Sequence, residues 1–78
     1  MTKLNWERRN KPNRSWVNPQ DEFRKGHTLF TIYDCKQPGF IHRYEDGFDL
    51  FHWDKKVGHA KTIKKLKEQA EEIYGGFA

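Results

Sequence analysis

Six lysines, Lys55, Lys56, Lys61, Lys64, Lys65 and Lys67, fall between residues 55 and 67, and Glu68, Glu71 and Glu72 follow them. Read as a helix from about residue 63, this stretch puts positive charge at its N-terminal end and negative charge at its C-terminal end. The peptide dipoles favour the reverse, by about 0.3–1 kcal/mol per charge. The i,i+4 pairs Lys64–Glu68 and Lys67–Glu71 also run in the weaker direction. A sequence shaped by helix stability alone would carry these charges the other way round. The inversion points to an external anion met by Lys55, Lys56, Lys61, Lys64 and Lys65, where a helix N-terminus adds free N–H groups suited to phosphate. The competing readings are a plain solvated face and a surface that meets an acidic protein.

A second basic set lies upstream. Residues 1–27 carry seven Lys/Arg and three Asp/Glu, net +4, while residues 28–78 carry eight of each, net zero. Arg8, Arg9, Lys11 and Arg14 supply most of that excess and are the arm's candidate phosphate contacts. Aromatic side chains could add base stacking, worth roughly 1–3 kcal/mol per base, and the candidates are Trp16, Tyr44, Phe51 and Trp53.

Other chemistry finds little support in the spacing. His27, His42, His52, His59 and Cys35 contain no CxxC and no HxxxH pair, so no metal site is expected. Cys35 beside a histidine and an aspartate would imitate a thiol nucleophile site. A chain this short offers no pocket for one. The carboxylate neighbours Glu45-Asp46 and Glu71-Glu72 belong to a turn and a helix surface, which build no low-dielectric cleft to set an acid against a base. Gly-rich phosphate loops are absent. The expectation is a binding protein rather than an enzyme, with no cofactor and no small-molecule substrate.

Composition sets the frame for these residues. Seventy-eight residues allow one thin-cored domain. Apolar residues make up 35%, and 12 of them are Phe, Trp or Tyr, so the core should consist of a few large rings. No apolar run approaches a membrane span, and MTKLNWERRNK lacks the apolar stretch of a signal peptide. A single cysteine fits a reducing compartment, the cytoplasm.

Four elements should position the candidates. Residues 1–27, rich in Asn, Pro and Gly, read as an irregular basic arm, with a short helix at Gln20–Arg24 as an option after Pro19. Residues 28–76 read as the folded unit. Thr28–Tyr33 and Phe40–Tyr44 are strand-like, separated by a turn at Pro38-Gly39. Asp46-Gly47 reads as a hairpin turn leading into a third strand, Phe48–Trp53, which Asp54–Gly58 continues or ends. Thr62 is the expected N-cap of a helix whose stripe is Ile63, Leu66, Ala70, Ile73 and Tyr74, stopped by Gly75-Gly76 in a left-handed conformation. The fold class is therefore α+β: a three-stranded antiparallel meander followed by one C-terminal amphipathic helix (βββα).

Both faces of such a sheet carry large apolar groups, whether Asp46-Gly47 is a two-residue turn or a type I turn with a bulge. The arm could cover the second face with Trp6, Trp16 and Phe23. That face could instead be an aromatic platform, or a surface for self-association as a homodimer.

The run GHAKTIKKLKEQA, Gly58 to Ala70, is similar to the start of the last helix in double-stranded-RNA-binding domains, where a glycine and a lysine pair bring lysines to phosphates. The chain departs from that family in lacking a first helix and in keeping only Ala70 of its alanine pair. The strand–strand–strand–helix layout resembles the integrase amino-terminal and plant ethylene-response DNA-binding domains, without their sequence signatures. In general style the chain also resembles phage and mobile-element accessory proteins. The leading expectation is nucleic-acid binding through the lysines and the arm. The alternative is an inhibitor or adaptor that docks on a host protein, with proteins that handle nucleic acid among the options.

Overall fold

A computed structural model describes residues 4–10, 14–19, 28–37 and 46–76. Five strands form one antiparallel sheet in sequence order: β1 (Glu7–Arg9), β2 (Ser15–Asn18), β3 (Phe30–Asp34), β4 (Phe48–His52) and β5 (Lys55–Ala60). The helix α1 (Ile63–Gly75) follows. The α+β class and the C-terminal helix match the sequence reading, but among the described residues the sheet has five strands where three were expected.

Three strands, β1, β2 and β5, fall outside that reading, and they come from opposite ends of the chain. β1 and β2 arise within the stretch expected to be irregular. Trp16-Val17 is a short β-prone pair, and Val17 is buried opposite Thr31 on β3. Asn18, fully buried, donates through Nδ2 to the Asn5 carbonyl at 2.7 Å and so ties the start of the chain to the sheet. β5 arises where the third strand was expected to continue. A two-residue turn at Trp53-Asp54 reverses the chain, and His52 pairs with Lys55. Trp53 adopts φ +57° there, a left-handed conformation that glycine usually fills. Its ring stacks on His52 at 4.2 Å.

β4 lies between β3 and β5. The expected hairpin between Phe40–Tyr44 and Phe48–Trp53 is therefore not how β4 is paired; residues 38–45 lie outside the described residues, as do the Gln20–Arg24 option and Phe23. Gly47 does take a positive φ, +98°. A Cβ there would come 2.4 Å from the Ala60 carbonyl oxygen and 2.9 Å from Lys61 Cα. Glycine is thus required both by conformation and by the close passage of the β5–α1 connection.

The helix begins where its cap predicts. Thr62 is extended, and its Oγ1 accepts from the Lys65 N–H at 3.4 Å. It ends at Gly76, whose φ of −70° is right-handed rather than the left-handed stop expected. Leu66 and Ala70 face the sheet and are fully buried with Leu29, Phe30, Ile32 and Leu50, and Leu4 completes this core. Trp6 and Trp16 pack against the same core, Trp16 meeting Phe48 edge-on at 5.6 Å. These two rings therefore belong to the helix-side layer and do not seal the opposite face.

Alternation then sends Val17, Thr31, Tyr33, Asp49 and Phe51 to the face away from α1. Tyr33 and Phe51 make an edge-on pair at 5.4 Å. Val17, Cys35 and Asp49 are buried on this side, so within a single chain it is not a continuous open platform. No described helix is long and apolar enough to cross a membrane.

Candidate functional site

The sheet order separates the two basic sets. Arg8 and Arg9 lie on the β1 edge, and the lysines lie on the β5 edge and the start of α1. Four strand spacings, roughly 19 Å, divide them. Arg8 sits over the Trp16 ring at 5.7 Å, and Arg9 meets Glu7 at 3.7 Å. Arg14 lies at the β1–β2 connection. Its N–H donates to Gln37 Oε1 at 2.7 Å, and its side chain is 4.0 Å from Asp34. Each of these arginines therefore has an internal partner. Lys11 lies outside the described residues.

The lysines divide into two kinds. Lys55, Lys61, Lys64 and Lys65 are exposed, and none makes an ion pair with a described carboxylate. Lys55 stands at the start of β5, and Lys61 follows its end, roughly 20 Å further along the extended strand. Lys64 and Lys65 occupy the first turn of α1, which contains no acidic residue. Lys67 points elsewhere, lying over the Trp6 ring at 5.9 Å.

Lys56 behaves differently. Its Nζ is 3.2 Å from Asp49 Oδ1, and the Asp49 side chain is fully buried. It is a partner of a buried carboxylate and not a free member of the lysine edge. The stacking candidates are also dispersed. Trp16 faces the helix side, Phe51 faces the opposite side, Trp53 occupies the β4–β5 turn, and Tyr44 lies outside the described residues. The three described candidates do not form one platform.

Asp49 organises a centre that spacing alone did not reveal. On β4 it is paired with His59 on β5 and Tyr33 on β3. An irregularity in the β4–β5 register lets Phe51 pair with Lys56 while Leu50 pairs with Gly58. The extra residue, Val57, reverses the alternation between positions 56 and 59. Lys56 and His59 thereby reach the same carboxylate. His59 Nδ1 is 2.6 Å from Asp49 Oδ1. Cys35, in the turn after β3, is buried beside them. Ligand atoms of Cys35, Asp49 and His59 lie within 4.8 Å of one another.

Burial raises the Asp49 pKa, but this is outweighed by hydrogen bonds from His59 and Lys56, by the Lys56 charge and by the Cys35 thiol, which together hold it below the usual carboxylate value. The support is lopsided. Both His59 and Lys56 engage Oδ1, while Oδ2 is buried with no hydrogen-bond partner. No local motif marks this centre, because its residues come from a turn and two strands. Recognising Trp53-Asp54 as a turn would have made β5 a strand and placed His59 beside β4.

No protein-family model, no curated protein and no solved structure matches this chain.

Proposed function

We propose that the protein is a small non-enzymatic binding protein that offers its β5–α1 edge to the phosphates of nucleic acid. The observation that carries this reading is the set Lys55, Lys61, Lys64 and Lys65: four exposed lysines with no ion pair to a described carboxylate. Lysines on an edge strand also guard against unwanted strand pairing. That accounts for Lys55, but not for Lys61 in a connection or for Lys64 and Lys65 on a helix turn. There the macrodipole opposes them, so a benefit outside helix stability is required. A partner bearing several phosphates at chain-like spacing supplies it. The arm's Arg8, Arg9 and Arg14 are secondary, because each is engaged within the chain.

The same edge would suit an acidic protein surface, as an inhibitor or adaptor would use. Fluorescence anisotropy with labelled duplex and single-stranded oligonucleotides separates the readings. At ~50 mM salt the protein should bind with a Kd below ~100 μM. The variant carrying Lys55→Glu, Lys61→Glu, Lys64→Glu and Lys65→Glu should not. Absence of binding by the unmodified protein overturns the nucleic-acid reading. Capture of one stoichiometric protein after nuclease treatment, lost in the same variant, would then support the adaptor.

A further inference from the structure

We propose that Cys35 Sγ, Asp49 and His59 Nδ1 form a three-residue site for a divalent metal ion of the zinc class, with a fourth coordination position left for water. This inference is independent of the lysine edge.

The donor set is chemically apt. A thiolate, an imidazole and a carboxylate are the ligand types that borderline ions such as Zn²⁺ take in tetrahedral geometry. The three ligand atoms already lie within 4.8 Å of one another. Zinc–ligand bonds of about 2.0–2.3 Å require tetrahedral neighbours roughly 3.3–3.7 Å apart. The 2.6 Å between His59 Nδ1 and Asp49 Oδ1 is a hydrogen bond, so a metal would replace the proton now shared there.

Asp49 supplies the independent sign of a ligand. Its side chain is fully buried, yet Oδ2 has no hydrogen-bond partner. A buried carboxylate oxygen without a partner is costly. A buried ion pair is also weak support for folding, since apolar replacements of similar volume are often as stable. In so thin a core the arrangement is poorly explained by stability alone. Access is open from β5, because the Lys56 and His59 side chains are each 33% exposed.

Lys56 is the competitor. Its ammonium occupies the same carboxylate at 3.2 Å and must swing outward when a cation enters, which its partial exposure permits. The charges then close: a divalent ion against one thiolate and one carboxylate is neutral. Binding releases the Cys35 thiol proton to solvent. A neutral His59 moves its remaining proton to Nε2 to expose Nδ1. The ion would join the turn after β3, β4 and β5.

The test uses the full chain, kept reduced and stripped of metal, titrated with Co²⁺ and followed in the near-ultraviolet and visible. One equivalent should produce a thiolate-to-cobalt charge-transfer band and the visible bands of tetrahedral cobalt. Zn²⁺ should displace it and raise the melting temperature. His59→Gln, on an exposed part of β5, keeps the fold by circular dichroism and should weaken Zn²⁺ binding at least about tenfold. Lys56→Gln should tighten it several-fold. A site in which Lys56 serves only as structural partner would not show that tightening. No charge-transfer band in the unmodified protein overturns the proposal, as does a Zn²⁺ affinity unchanged by His59→Gln.

Discussion

His59 Nδ1 stands 2.6 Å from Asp49 Oδ1, across the pairing of the last two strands. One extra residue in β5 makes this contact compatible with Lys56 reaching the same oxygen. The bulge thus decides that a fully buried carboxylate has two nitrogen partners on one side and none on the other.

Replacing Asp49 by Asn should lower stability by about 1–3 kcal/mol in metal-free protein, because the charge-assisted bonds from His59 and Lys56 are lost. Both partners are partly exposed and can rehydrate, which keeps the loss below that of a fully buried pair. The pH dependence has a definite sign. Asp49 is more acidic folded than its ordinary value of 3.8. Its contribution is therefore present above that value and is lost as pH falls through the lower, folded value. Among the described residues, His59, Lys56 and the Cys35 thiol bond to it, and Tyr33 pairs with it from β3. Urea melts should show the gap between unmodified protein and Asp49→Asn narrowing on acidification below about pH 5; a constant gap contradicts the assignment.

Leu66 is fully buried between α1 and the sheet. Leu66→Ala should cost about 2–5 kcal/mol by removing contacts and leaving a cavity. In a domain of this size that lowers the melting temperature by more than about 8 °C. Calorimetry showing no shift would mean that the helix does not dock through this residue.

Two glycines should respond differently to alanine. At Gly47 the added Cβ meets backbone at 2.4 Å and the conformation is left-handed, so Gly47→Ala should destabilise by more than about 1 kcal/mol. At Gly58 the nearest atoms belong to the Gln69 side chain, which can move at the expense of its bond to the Val57 carbonyl. Gly58→Ala should therefore cost less. Thermal melts that reverse this order would contradict the close β5–α1 approach.

Much of the fold was legible where local chemistry agreed with the tertiary outcome. Thr62, the Ile63–Leu66–Ala70 stripe and the terminal glycines marked the helix, and the β-branched and aromatic run near Phe30 marked β3. Gly47 announced its own conformation. Misreading began where a local rule was broken. Trp53 occupies a turn position that glycine usually fills, so β5 looked like an extension of β4. β1 and β2 are only three and four residues long and are held by pairing to neighbours rather than by propensity. The basic residues were visible as charges, but their grouping depends on strand order, which put arm and lysines on opposite edges. Cys35, Asp49 and His59 were visible only as scattered residue types, since strand register and a bulge bring them together.

The central claim, that the β5–α1 edge meets nucleic-acid phosphates, is tested most directly by the salt dependence of binding to duplex DNA. With three or four phosphates neutralised by Lys55, Lys61, Lys64 and Lys65, the logarithm of the association constant should fall against the logarithm of salt with a slope of about −3 to −4. Each Lys→Glu change at these positions should make the slope shallower by about one. A slope near zero, or one unchanged when all four lysines are reversed, would contradict the account.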